Sequence, residues 1–439
     1  MEQLLHYVWK HKLFPLVPLT TTDGRTVEVI HPGLHNHDAG PDFFNAKVKI
    51  GGQLWVGNVE IHCKASDWYR HRHDADPAYA NVVLHVVGEA DMDIPQQGEP
   101  SQLIPQLVLP VPADVRENYS RLDAGDAVPR CRAVVGSLPR LTVHSWMSAL
   151  LVERLEERMQ QVMERRERCQ MDWEATFFVT LARTFGFGIN GDAMEQWAQG
   201  VPLSAVGKHR DDLFQIEAIF FGQAGLLETP HEGDYFSRLQ REYAYLRHKF
   251  SLTPMPAQRW RFARLRPQSL PYLRLAQLAM LYYERRLNFS RIVEAHDAEA
   301  LRELLQTHVS EFWQTHYTFS SQPTATSQRR LSAASLDSLI INAVAPTLFA
   351  YGRYKSEESL CERALQLFER LKPEDNHIVR SWAFAGIRSE SAADTQALIH
   401  LTRRYCEPHN CLRCRYGYEY LRRTPDFLRE QERRLSGAD

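Results

Sequence analysis

The stretch that decides the fold reads Gly40-Pro41-Asp42-Phe43-Phe44-Asn45-Ala46-Lys47-Val48-Lys49-Ile50, then Gly51-Gly52, then Gln53-Leu54-Trp55-Val56-Gly57-Asn58-Val59-Glu60-Ile61-His62-Cys63-Lys64. Both arms alternate in polarity with the two-residue period of a strand, and the Gly-Gly pair supplies the positive φ angles of a tight turn. Residues 44–63 are therefore expected to form a β-hairpin. Glu60, His62 and Lys64 share one face of its second arm, while Val59, Ile61 and Cys63 share the other. Pairing Ile50 with Gln53 sets Phe43 opposite Glu60 and Asp42 opposite Ile61. That register places Asp42 and Glu60 on opposite faces unless a bulge or the Gly40-Pro41 bend breaks the alternation.

Outward from the hairpin, TVEVI at 26–30 and NVVLHVV at 81–87 are further short β-branched runs bounded by Gly, Pro, Asp or Asn. Residues 1–14 read as a helix, 15–110 as mostly sheet, and 66–74 as a short helical or loop stretch. From about 140 the chain changes to apolar residues at three- and four-residue steps, as in HSWMSALLVERLEERMQQVMERRERCQM, and the remainder reads as helical. Pro-containing breaks fall at 110–112, 254–256, 267–271 and 373, and SSQPTATSQRR at 320–330 is the expected loop. No fixed-period repeat is evident. The expected class is α+β: a mixed-sheet domain over 1–127, then a large all-α domain over 128–439. Residues 1–127 hold 10 Lys/Arg against 17 Asp/Glu, a balance of −7, which leaves +5 on the remainder of a chain whose net charge is −2. A uniformly basic nucleic-acid coat is thereby excluded, and any polyanion site must be a local patch.

An acid opening one strand and a Glu-x-basic triplet on its neighbour, in the order helix, three strands, helix, strand, resembles the PD-(D/E)XK nucleases. The resemblance implies the αβββαβ, restriction-endonuclease-like core and metal-assisted phosphodiester hydrolysis of DNA or RNA. On that reading Asp42 and Glu60 hold Mg²⁺ or Mn²⁺, with the Ile61 carbonyl as a third ligand. His62 takes the place of the usual Lys and activates or orients water, and Lys64 stabilises the developing charge. More broadly, GPDFFNAKVKI, GNVEIH, SDWYRHRHDAD, FGFGINGDAME, EAIFFGQAGLL, RLRPQSLPYLRLAQLA, INAVAPTLFAYG and YCEPHNCLRC resemble, over nearly the full length, an uncharacterised bacterial family, the domain of unknown function 2851. That family brings no established activity with it.

Two other readings compete. Histidines crowd the first domain at His31, His35, His37, His62, His71, His73 and His85, and a Zn²⁺ or Fe²⁺ hydrolase site would use His71 and His73 with Asp67 or Asp76. Alternatively the hairpin is scaffold, its polar face merely solvated, and the protein binds nucleic acid or a protein partner without catalysis. Convergence of Asp42, Glu60 and His62 separates catalysis from scaffold.

Cys406, Cys411 and Cys414 form C-x4-C-x2-C, a spacing at which thiolates converge on Zn²⁺ or an iron-sulfur cluster. Some PD-(D/E)XK nucleases are similar in carrying a four-cysteine cluster after the catalytic core. Here the fourth ligand is open, with His409 the local candidate and Cys361 the remote one. Gly186-x-Gly188-x-x-Gly191 spells the dinucleotide fingerprint, yet it follows a helical rather than a strand pattern and reads as an interhelical turn. Arg259, Arg261, Arg264 and Arg266 interleave with aromatics in a pattern suited to phosphate contact and base stacking, and 401–434 has nine Arg against five Asp/Glu. Seven cysteines, no basic n-region before an apolar run, and no stretch of roughly 18 consecutive apolar residues lead to the expectation of a cytoplasmic protein with reduced thiols and no membrane partner. The sequence does not address oligomeric state.

Overall fold

A computed structural model describes residues 1–15, 18–36, 38–125, 128–284 and 287–436. The chain divides into two compact units. One comprises Met1–Thr142, Ser381–Ile387 and the chain from Leu401 onward, and the other Val143–Arg380 with Arg388–His400. This differs from the division at 127 expected from pattern, because the C-terminal segment packs into the first unit. Asn118 donates to the carbonyl of Arg423 at 2.7 Å and the Arg130 guanidinium to that of Cys406 at 2.7 Å.

The first unit opens with helix α1 (Glu2–Lys10), which buries Leu4, Leu5, Val8 and Trp9 as one stripe. It is shorter than the expected 1–14 because Lys12 turns into the left-handed region at φ 50° and Leu13 donates back to the Val8 carbonyl at 2.9 Å. The strands follow as β1 (Leu19–Thr20), β2 (Thr26–His31), β3 (Leu34–His35), β4 (Phe43–Ile50) and β5 (Gln53–Lys64). Next come the one-turn helix α2 (Asp67–Arg70) and the strands β6 (Val82–Glu89), β7 (Pro95–Gln96), β8 (Glu99–Leu103) and β9 (Gln106–Val108).

Among the described residues a seven-stranded sheet runs in the order β1-β2-β4-β5-β6-β9, with β3 beside β4 and β7-β8 pairing separately. The pairs through β5 are antiparallel, while β5-β6 and β6-β9 are parallel. The sheet is mixed and nearly closes on itself, since Thr22 donates to the Gln106 carbonyl of β9 at 2.9 Å. Its core is Phe43, Ala46, Val48, Val59, Ile61, Leu84 and Val86 beneath the apolar stripe of α1. Burying such side chains, at ~1.5–3 kcal/mol for each large one, holds α1 on the sheet.

The hairpin forms with Gly51 and Gly52 at φ 59° and 84°, both positive as a two-residue turn of this type requires. Its register starts as expected, with Ile50 opposite Gln53 and Val48 opposite Trp55, then shifts by one residue between Ala46-Gly57 and Phe43-Val59. The cause is a β-bulge. Asn45 sits at φ 55°, a conformation that Asn tolerates better than most residues, and its N–H points to Asn58 Oδ1 at 3.4 Å.

The second unit is helical throughout, beginning with the 29-residue helix Arg140–Arg168, which starts just before the unit boundary and buries Arg154, Arg165 and Arg166 among its apolar residues. The Gly186–Gly191 stretch lies between helices Trp173–Phe185 and Gly191–Gln199, as expected for an interhelical turn. The helical run Ala333–Lys355 is long and apolar enough by composition to cross a bilayer, and 67% of its most apolar window is buried inside the unit.

Candidate functional site

The bulge decides which side chains meet. Below it the register places Asp42 across from Glu60 rather than Ile61, so the opposite-face expectation does not hold. The Asp42 N–H donates to Glu60 Oε2 at 3.0 Å, and the Ile61 N–H donates to Asp42 Oδ2 at 2.9 Å. Each carboxylate is thus tied to the backbone of the opposite strand, Glu60 to Asp42 and Asp42 to Ile61. Such charge-assisted hydrogen bonds hold them against their mutual repulsion.

A third group comes from α1. His6, at the flank of the apolar stripe, brings Nε2 to 3.3 Å from Asp42 Oδ2. That nitrogen is buried and makes no hydrogen bond of acceptable geometry. The Ile61 carbonyl faces the same imidazole. Burial works against the His6 cation, yet the Asp42 carboxylate, Glu2 and that carbonyl outweigh it and raise the pKa. The Asp42 carboxylate, the His6 imidazole and the Ile61 carbonyl are donors of kinds that divalent cations take, and Glu60 lies across the strand from Asp42 with its Oε2 on the Asp42 N–H. Sequence reasoning missed His6; its only signal is a polar residue beside the buried stripe of a short helix.

Glu60 also faces the other way. Its Oε1 lies 3.1 Å from His73 Nε2 and 3.5 Å from His62 Nε2, and His62 Nε2 lies 3.2 Å from His71 Nδ1. His62, His71 and His73 each offer one nitrogen within 4.8 Å of the others, a spacing able to hold a metal ion. The edges of a tetrahedral site with bonds of ~2.0–2.1 Å are about 3.3 Å long, close to these separations. His62 Nδ1 meets His85 Nε2 at 2.9 Å, while Tyr79 stacks on His73 at 3.8 Å between ring centroids. This packing fixes the rings.

Burial and the surrounding imidazoles set the protonation. His62 is pushed down to about 2 by burial, then by His85, His73 and His71, and His85 is lowered to about 4 by burial and His73. His62 is therefore neutral near pH 7 and does not reproduce the permanent charge of the Lys it was expected to replace. Glu60 is raised, by burial first and by Asp42, against the opposing hydrogen bond from His73.

Lys64 does not join the cluster. Its ammonium pairs with Glu89 at 3.1 Å in solvent, each side chain more than half exposed. Asp67 is occupied by the Lys64 N–H and by Arg70, and Asp76 caps the turn at Ala78, so neither completes the His71-His73 pair as expected; Glu60 and His62 take that place. His37 lies outside the described residues, and His31 uses Nδ1 to accept from the Gly33 N–H.

Beside Asp42 and His6 a cleft of about 580 Å³ opens, lined also by Lys10, His35, His409 and Arg413. Its lining sets two permanent cations, Lys10 and Arg413, among the carboxylates of Glu2, Asp38 and Asp42. In the second unit, Arg259, Arg261, Arg264 and Arg266 are exposed on an irregular segment whose Trp260 is buried. That unit also buries Glu217 with Tyr235 Oη at 2.7 Å and Ser310 Oγ at 2.6 Å, and burial raises its pKa to about 7. No sequence motif marks it.

Residues 2–377 match the family model described as protein of unknown function (DUF2851). The chain belongs to this family. No match emerged from the comparisons with curated proteins and with solved structures. The matched span contains His6, Asp42, Glu60 and all four clustered histidines.

Proposed function

We propose that the first unit is a metal-dependent phosphodiester hydrolase acting on DNA or RNA, of the PD-(D/E)XK type. The observation that supports the reading is the Asn45 bulge, which sets Asp42 across from Glu60 instead of on the opposite face, as a regular hairpin would have it. The order α1, β2, β4, β5, α2, β6, with the last strand parallel to β5, supports it.

His6, Asp42, Glu60 and the Ile61 carbonyl would hold Mg²⁺ or Mn²⁺. When bound, the cation polarises a phosphoryl oxygen and lowers the pKa of a coordinated water. The protein's own residues do the rest. The backbone N–H groups of Asp42 and Ile61 fix the Glu60 and Asp42 carboxylates before substrate arrives, and His73 holds the far oxygen of Glu60. Lys10 and Arg413 at the cleft would bind the phosphates. His62, neutral and buried, acts as a positioning residue for Glu60.

The grouping of His62, His71 and His73 favours a second reading, a Zn²⁺ or Fe²⁺ hydrolase centre completed by Glu60 Oε1. The two separate in one experiment. Binding of Mn²⁺ and of Zn²⁺ is measured by calorimetry on wild type, Asp42→Ala, His71→Ala and Glu60→Ala, with cleavage of single- and double-stranded DNA and RNA assayed on the same samples. The first reading expects Mn²⁺ binding and cleavage to fail in Asp42→Ala and Glu60→Ala but to survive in His71→Ala. Loss in His71→Ala with Asp42→Ala intact selects the second. Wild-type behaviour in all three variants refutes both.

A further inference from the structure

Cys131 stands far from the C-terminal cysteines in sequence, yet it lines one pocket of the first unit together with Cys406, Cys411 and Cys414. Cys131, Cys406 and Cys414 are buried, and all seven cysteines, each among the described residues, are outside disulfides. The loop is built to bring its thiols together. The chain leaves the helical turn Thr402–Cys406, passes His409 at φ 59°, and closes with the Asn410 N–H on the Tyr405 carbonyl at 2.8 Å and the Cys414 N–H on that of Cys411 at 3.2 Å. Helix Arg415–Leu421 then approaches so closely that a Cβ at Gly417 would lie 2.0 Å from the Cys411 carbonyl oxygen.

The other candidates for a fourth ligand are placed elsewhere. His409 is half-exposed, its Nδ1 3.3 Å from Asp123 and its Nε2 against Arg130. Cys361 belongs to the second unit and directs its sulfur to the Phe349 carbonyl at 3.7 Å.

We propose that Cys131, Cys406, Cys411 and Cys414 form a four-thiolate centre for a thiophilic metal, either a zinc ion or an iron-sulfur cluster. Four sulfurs are a complete ligand set for either, and soft thiolates select these over hard cations. Each sulfur–metal bond forms as an S–H bond releases its proton to solvent. Arg130 supplies the compensating charge: its guanidinium bonds the Cys406 carbonyl at 2.7 Å and reaches the Cys411 thiol. Forming the centre takes four thiols to thiolates, so metal binding releases protons and depends on pH. The bound metal cross-links segments as far apart as Arg130 and Cys406, 276 positions, removing closure entropy from the unfolded chain. The assignment is independent of the phosphodiesterase reading.

The test uses the full chain purified anaerobically without chelator, with zinc, iron and acid-labile sulfide quantified and the visible spectrum recorded. Either about one zinc per chain and no colour, or about two to four irons with sulfide and a brown chromophore, supports the centre and identifies the metal. Cys131→Ser should lower the content at least about tenfold, with Cys361→Ser unchanged. Should Cys131→Ser fail to fold, thiol alkylation of the native wild type decides. Cys131, Cys406, Cys411 and Cys414 should be shielded relative to Cys63 and become reactive once a chelator strips the metal. A wild type carrying neither metal, or one whose metal survives Cys131→Ser, overturns the proposal.

Discussion

The bulge at Asn45 can be tested through its energetics. Holding a non-glycine residue at φ 55° costs ~1–2 kcal/mol, the lower end applying to Asn. Burial of Phe43 adds little to the balance, since the unbulged register would bury Phe44 in its place. Two hydrogen bonds to carboxylates, Asp42 N–H to Glu60 and Ile61 N–H to Asp42, add ~1.5–3 kcal/mol each. The bulged register therefore wins by several kcal/mol, and no single backbone penalty at position 45 reverses it. Asn45→Gly should leave stability within about 0.5 kcal/mol of wild type, and Asn45→Val should lower it by about 1–2 kcal/mol because a β-branched residue resists the left-handed region. Both should keep Mn²⁺ binding. Deleting Asn45 is the sharper perturbation. It removes one of the two residues facing Asn58 and leaves Phe43 opposite Val59, so Asp42 still faces Glu60 and the cation still binds. Urea unfolding followed by tryptophan fluorescence gives the stabilities, and calorimetry gives the binding. A folded deletion variant that no longer binds Mn²⁺ would refute the argument, since Asp42 would then owe its orientation to something other than the register.

Two further outcomes follow from the same site. Burial lowers His62 to about 2 and His85 to about 4, below the ordinary 6.5, so their contribution to stability is complete above pH 6.5 and is lost as pH falls, toward 4 for His85 and toward 2 for His62. In His85→Gln, whose amide can still donate to His62, stability should fall less steeply than in wild type by about 1.4 kcal/mol per pH unit between pH 6 and 5. The raised His6 and Glu60 act in the opposite sense, but they are common to both proteins and cancel in the difference; parallel pH curves would contradict the assignment. Lys64→Ala should leave Mn²⁺ affinity and cleavage within about twofold, because the ion pair it breaks is exposed and screened by solvent; a loss beyond about tenfold would return Lys64 to the site.

Much of this was legible in the chain because it rests on local rules. The two-residue alternation and Gly51-Gly52 define the hairpin, and the expected strands 26–30, 44–50, 53–63 and 81–87 differ from Thr26–His31, Phe43–Ile50, Gln53–Lys64 and Val82–Glu89 only at their ends. What could not be read depends on contacts between distant positions. Asn45 looks like any other exposed strand residue, and the bulge is selected by the hydrogen bonds that the Asp42 and Ile61 N–H groups make to carboxylates across the strands. His6 enters the site by the docking of α1, and Cys131 meets the C-terminal thiols by the return of the chain's last segment. The pairing of Glu60 with His73 requires the course of the loop after α2, which no periodicity encodes.

The placement of both ends of the chain in one unit orders events during synthesis. Asp42, Glu60 and Cys131 leave the ribosome early, whereas His409 and Arg413 of the cleft wall, and three of the four clustered thiols, emerge only after the whole helical unit. At ~5–20 residues per second, the interval from Thr142 to Leu401 lasts roughly 15–50 s. During that time the sheet has its carboxylates but neither its second wall nor the three C-terminal cysteines that line a pocket with Cys131. A nascent or truncated chain thus holds the acidic half of the cleft without Arg413, and the completed cleft is available only to a chain translated through its last cysteine.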